Sequence, residues 1–175
     1  KITVGDYTQT ESFIVLEDPR VAASYDDLKS QFGLLVKLRD KLTESNETVS
    51  RLRKIKKQLI DWQGRSGKHP QFPKIDESAR NLNQRLFEIE EMFVPILGAN
   101  PQKPPPTRLT DKLVSLHAVV SSADWVPTSQ SYQVFDLISG DIDMQIASFN
   151  RVLQSDLQEF TELLSELEIP GIIAA

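Results

Sequence analysis

Seven apolar residues, Ile75, Ala79, Leu82, Leu86, Ile89, Phe93 and Ile96, recur at intervals of 4-3-4-3-4-3 without a gap. That spacing gathers all seven on one stripe of an α-helix, whereas a strand would send alternate residues to opposite faces. A stripe this regular has to be sealed against other helices, and three more segments offer one. Leu28, Phe32, Leu35, Leu38, Leu42, Val49, Leu52, Ile55, Leu59 and Trp62 mark a helix expected at 24–63, with a polar interruption from Thr43 to Thr48. At 1.5 Å per residue it is on the order of 60 Å long. Leu109, Leu113, Leu116, Val120 and Ala123 mark a third helix at about 107–124. Phe135, Ile138, Ile142, Ile146, Phe149, Leu153, Leu157, Phe160, Leu164 and Leu167 run close to an 11-residue repeat along a fourth, at 128–168.

Local punctuation sets the ends. Ser24 with Asp27 forms a capping pair for the first helix, and Gly64 and Gly67, followed by Pro70 and Pro73, stop it. Asp76 is the expected N-cap of the second helix, and Thr128 or Ser129 that of the fourth. The proline-rich stretch from Gly98 to Pro106 is a stiff spacer, and Pro127 and Pro170 bound the fourth helix. The fold class is therefore mainly α: an antiparallel helical bundle of two long and two short helices. The short pair could lie side by side against one half of the long pair, or end to end along it. The sequence reading favours the side-by-side packing.

Before the bundle, Lys1 to Leu16 reads as two β segments around a Gly5-Asp6 turn. An isolated hairpin is marginal in water. Residues 1–17 are thus expected to be the last strands of an upstream β-domain, and residues 18–175 the helical bundle domain.

Composition narrows the chemistry. Cysteine is absent, which excludes disulfides and thiol catalysis, and two histidines, His69 and His117, without partners at ligand spacing leave no metal centre or cofactor to expect. A net charge of −5 opposes a large phosphate-binding surface, and no apolar run is long enough to span a bilayer, so neither nucleic acid nor membrane insertion is expected. Against that acidic background Arg51, Arg53, Lys54, Lys56 and Lys57 form a cationic run on the first helix. They are candidates for an anion or partner patch, though a solvated helix face neutralised by acids such as Glu88, Glu90, Glu91, Asp141 or Asp143 is the plainer reading. Glu88, Glu90 and Glu91 themselves read as surface charges, since consecutive helical positions diverge. No serine sits in a nucleophile turn, no glycine-rich phosphate loop occurs, and no catalytic residue is assigned. Asn46-Glu47-Thr48 matches a glycosylation acceptor, but its mid-helix place speaks against use. Trp62, Trp125, Phe72 and Phe93 read as plugs for the helix ends.

Several strings carry a resemblance: Asp18-Pro19-Arg20-Val21, Gln31-Phe-Gly-Leu-Leu-Val-Lys-Leu-Arg-Asp-Lys-Leu42, Val49-Ser-Arg-Leu-Arg-Lys-Ile-Lys-Lys-Gln-Leu59, Pro105-Pro-Thr-Arg-Leu-Thr-Asp-Lys-Leu113 and Pro127-Thr-Ser-Gln-Ser-Tyr132. Over nearly its whole length the chain resembles the C-terminal region of bacterial secreted β-propeller proteins of the BNR-repeat, sialidase-like or sortilin-like group, often labelled glycosyl hydrolase. The Asp-box motifs of propeller blades are absent, so the resemblance transfers no catalytic residue. It implies an exported parent, periplasmic or extracellular, in which this part is a non-enzymatic accessory domain packed on the parent's own β-domain. The alternatives are a protein–protein interaction or homo-oligomerisation module, and one part of a hydrolase-like enzyme whose active site lies in the propeller.

Overall fold

The computed structural model describes residues 1–16, 18–66, 72–95 and 106–166. Ile96, Gly67, His69, Pro70, the spacer up to Pro105, Leu167 and Pro170 lie outside them. The chain is mainly α, with an N-terminal hairpin of β1 (Ile2–Val4) and β2 (Tyr7–Gln9) followed by α1 (Tyr25–Ser66), α2 (Phe72–Phe93), α3 (Leu109–Val120), α4 (Ser129–Gln154) and α5 (Asp156–Glu166). No helix among the described residues is long and apolar enough to cross a membrane.

The hairpin pairs Val4 with Tyr7 across Gly5-Asp6, and Gly5 takes the left-handed φ of 58° that the tight turn requires. Its second strand is shorter than expected: β2 ends at Gln9, and residues 10–16 carry no strand pairing. Every residue from Lys1 to Leu16 is exposed, so the hairpin touches none of the helical core.

Ser24 caps α1 as expected, its hydroxyl accepting from the Asp27 N–H at 3.2 Å while the Asp27 carboxylate accepts from the Ser24 N–H at 2.9 Å. The Ser24 N–H and the Ser24 hydroxyl, both donating to the Asp27 carboxylate, hold that carboxyl below its usual range. Gly64 does not stop the helix, which continues to Ser66. Nor does Pro73 lie between helices: α2 begins at Phe72, and a proline in the first turn gives up an N–H that has no intrahelical acceptor anyway. Asp76 is consequently not a cap but a side chain inside α2, accepting from Gln63 at 2.8 Å and pairing with Arg80 at 2.6 Å. α3 is shorter than its expected span, and Ala123 lies beyond it. The expected fourth helix is two, broken at Ser155.

The short helices lie end to end, which overturns the side-by-side packing. α2 runs back along the C-terminal half of α1, from Asp76 beside Gln63 to Glu90 beside Arg53 and Lys56. α3 continues in the same direction along the N-terminal half, and the Gln31 amide of α1 meets its far end. The joint is made by side chains: the Thr110 hydroxyl donates to the Phe93 carbonyl at 2.7 Å, and Arg108 pairs with Glu91. α4 and α5 return parallel to α1, with Tyr132 near Ser30, Lys41 bonded to Asp143 at 2.8 Å, and Trp62 edge-on to Phe160 at 5.7 Å. The cross-section is three helices throughout.

The core follows the four stripes with departures: Ala123 is exposed, Val152 rather than Leu153 is buried, and two more lie on α1. Phe32 is 68% exposed, and Gln31 and Leu34 take the seam instead. A polar residue suits that place because Nε2 of Gln31 donates to the carbonyls of Val120 and Ala123, both at 2.6 Å, at the C-terminal end of α3 where backbone acceptors lack helical partners. Ser45 is fully buried rather than an interruption, its hydroxyl bonded to the Lys41 carbonyl at 2.8 Å. Of the four aromatics expected at helix ends, Trp62 and Phe93 are buried, Phe72 is half-buried, and Trp125 is 63% exposed and seals nothing.

Candidate functional site

With about 100° of rotation per residue, five cations within seven positions of a helix cannot share one face. The structure divides them three ways. Arg51 turns toward α4, where its guanidinium lies 5.7 Å from the centre of the Phe149 ring. Arg53 and Lys56 close on α2: Nε of Arg53 donates to one oxygen of Glu90 at 2.6 Å, and Nζ of Lys56 donates to the other at 2.9 Å. Lys56 also sits 5.1 Å from the centre of the Phe87 ring. Lys54 and Lys57 have no ion-pair partner among the described residues.

Glu90 is not a surface charge, because its side chain is only 7% exposed. Burial alone would raise its pKa, but hydrogen bonds and the adjacent charges from Lys56 and Arg53 outweigh that and hold the carboxyl below its usual range. Glu91 pairs with Arg108 at the helix joint, and Glu88 accepts from Gln84 of its own helix. The three acids therefore serve three separate contacts, consistent with their divergent directions.

Beside the Glu90 bridge lies an open groove of about 380 Å³. Asn46, Ser50, Arg53, Lys54 and Lys57 line it from α1, and Val49 and Val94 supply its apolar surface. Those α1 positions fall at i, i+4, i+7, i+8 and i+11, a single helical stripe. No carboxylate lines it. The sequence places Asn46 only in a glycosylation pattern and gives Ser50 no role, because charge alone singles out 51–57 while the stripe mixes cations with neutral donors; the 4-3-1-3 spacing is the signal that finds them.

A second groove, of about 620 Å³, runs between α3 and α4 with Leu116 and Ile138 at its base. Its walls are apolar side chains open to solvent, Val119 at 63% exposure and Leu137 at 72%, with Lys112 and Asp141 at its rim. No family model, curated protein or solved structure matches the chain.

Among the described residues no group of three or more His, Asp, Glu or Cys side chains could hold a metal ion. No serine or threonine hydroxyl among them is bonded to a histidine; those of Ser30, Ser45, Thr48 and Ser155 are spent on carbonyls one turn back in their own helices. His117 is exposed on α3. The two grooves present one cationic and one apolar surface.

Proposed function

We propose that this chain is a non-catalytic helical accessory unit that packs against a β-domain built with its own N-terminal segment. The observation that carries it is Phe13-Ile14-Val15-Leu16: four consecutive apolar side chains, each at least 82% exposed, beside a bundle whose own core is complete without them. A run apolar on both faces suits a strand covered on both sides, and among the described residues no helix covers it. The resemblance described above extends the reading: the parent is a larger exported β-propeller protein of the BNR-repeat, sialidase-like or sortilin-like kind, periplasmic or extracellular, with any hydrolase-like active site in the propeller. Deleting residues 1–17 tests the accessory role, because helicity and the unfolding midpoint by circular dichroism should be retained. Loss of the helical signal would show that the segment belongs to the bundle core. Glycoside or peptide hydrolysis by the chain, abolished by a point substitution in the bundle, would overturn the non-catalytic part.

A second reading, a partner or homo-oligomerisation module, is favoured by the α3–α4 groove. End-to-end packing leaves no uncovered half of the long helices to serve that purpose, but the exposed Val119 and Leu137 offer an alternative face. Light scattering on the wild type and on Leu137→Asp separates the two: a concentration-dependent oligomer lost in the variant supports the module, and a monomer in both removes it.

A further inference from the structure

We propose that the cationic groove on α1 binds an acidic amphipathic helix, with carboxylates on Lys54, Lys57 and Arg53 and an apolar side chain against Val49 and Val94. This site includes no residue of the N-terminal segment and does not depend on the β-domain reading.

Charge argues for the occupant first. In a chain of net charge −5, the groove collects three cations and two neutral donors and no carboxylate. Lys54 and Lys57 have no ion pair among the described residues. Among the described residues Arg53 is engaged only through Nε, so Glu90 anchors the guanidinium without occupying Nη1 or Nη2. The buried Glu90 thereby fixes one cation at the groove edge while leaving its outer nitrogens to a second carboxylate.

Shape narrows the partner. The stripe from Asn46 to Lys57 extends about 17 Å along α1 at 1.5 Å per residue, three turns of an opposing helix. On a helix running antiparallel to α1, carboxylates at i, i+3 and i+4 match the i, i+1, i+4 spacing of Arg53, Lys54 and Lys57. Val49 and Val94 give an apolar side chain a seat that a small inorganic anion cannot use. Nucleic acid fits poorly, because no aromatic side chain lines the groove for base stacking. A phosphate fits poorly too: the site lies in the middle of α1, where backbone N–H groups are already bonded within the helix.

The test uses the full chain, isotope-labelled, titrated at low salt with a synthetic peptide repeating Glu-Leu-Glu-Glu. The amides of Ser50, Lys54 and Lys57 should shift. Lys54→Gln with Lys57→Gln should weaken binding about 5- to 10-fold, the sum of two exposed ion pairs, without changing the unfolding midpoint. Lys29→Gln with Lys37→Gln, cations on the other half of α1, should change nothing. Undiminished peptide binding by the groove variant overturns the proposal. So does inorganic phosphate, or a single-stranded oligonucleotide, binding at the same amides as tightly as the peptide. Self-association abolished by the groove variant would also overturn it, by making a second copy the occupant.

Discussion

A carboxylate held between two helices has to remain ionised and paired, and Glu90 does both through Arg53 and Lys56. Its folded pKa lies below the ordinary 4.5. The linkage follows directly: ionised Glu90 stabilises the fold fully above the unfolded-state pKa, and the contribution fades as pH falls through 4.5 toward the lower folded value. Glu90→Gln should therefore cost about 1–2 kcal/mol at neutral pH, reduced from a fully buried pair because Arg53 is 59% exposed. In urea titrations the gap between wild type and variant should close below pH 4.5; a gap constant with pH would mean that Glu90 is not held ionised by its partners. Gln31 poses a similar accounting problem with neutral groups. Replacing it with leucine suits the seam sterically but strands the carbonyl of Val120, while that of Ala123 keeps the Trp125 N–H at 3.1 Å. A loss of about 1–2 kcal/mol is expected. The amides at the C-terminal end of α3 should then exchange faster with solvent.

Within single helices, legibility depended on whether apolar spacing alone decides the outcome. The stripe of α2 did, and each of its described members from Ile75 to Phe93 is buried. The capping pair Ser24/Asp27 was also readable, since its bonds are local to the sequence. Helix ends set by tertiary contacts were not. α2 starts early, at Phe72, which leaves Asp76 inside the helix with Gln63 and Arg80 as partners. In the fourth helix the inward residues Phe149, Val152 and Leu157 skip a phase at Ser155, whose hydroxyl turns back to the Arg151 carbonyl at 2.9 Å. The cationic groove was half legible: charge singles out Arg53, Lys54 and Lys57, but only three-dimensional packing shows that Arg51 and Lys56 leave for other surfaces. Gly140 is a place where the sequence states its own cost. A Cβ there would meet nothing within 4 Å, so Gly140→Ala should add helix propensity without a clash. A gain of about 1 kcal/mol is expected, or roughly 2–4 °C in the unfolding midpoint. A loss would reveal a neighbour at that face.

On the scale of the whole molecule, the end-to-end short helices divide the bundle into two halves that share α1 and α4. One half packs α3 with the N-terminal part of α1; the other packs α2 and α5 with its C-terminal part. Across the α2–α3 joint the chain offers the Thr110–Phe93 bond and the Arg108–Glu91 pair, so most coupling between halves has to travel along the unbroken backbone of the long helices. Glu47 lies opposite that joint, exposed and in the middle of α1. Glu47→Pro removes one helical hydrogen bond and sets its ring against the carbonyl of Thr43, at a cost of about 3 kcal/mol or more, while touching no core side chain. If α1 is the rod that makes the halves cooperative, calorimetry should show one transition in the wild type and two in the variant. Core truncations then assign them: Leu113→Ala should lower only the transition of the α3 half, and Leu82→Ala only that of the α2 half, each by the 2–5 kcal/mol typical of a buried leucine. A single transition displaced as a whole by Glu47→Pro would instead place the coupling in α4, whose continuous run from Ser129 to Gln154 also crosses the joint.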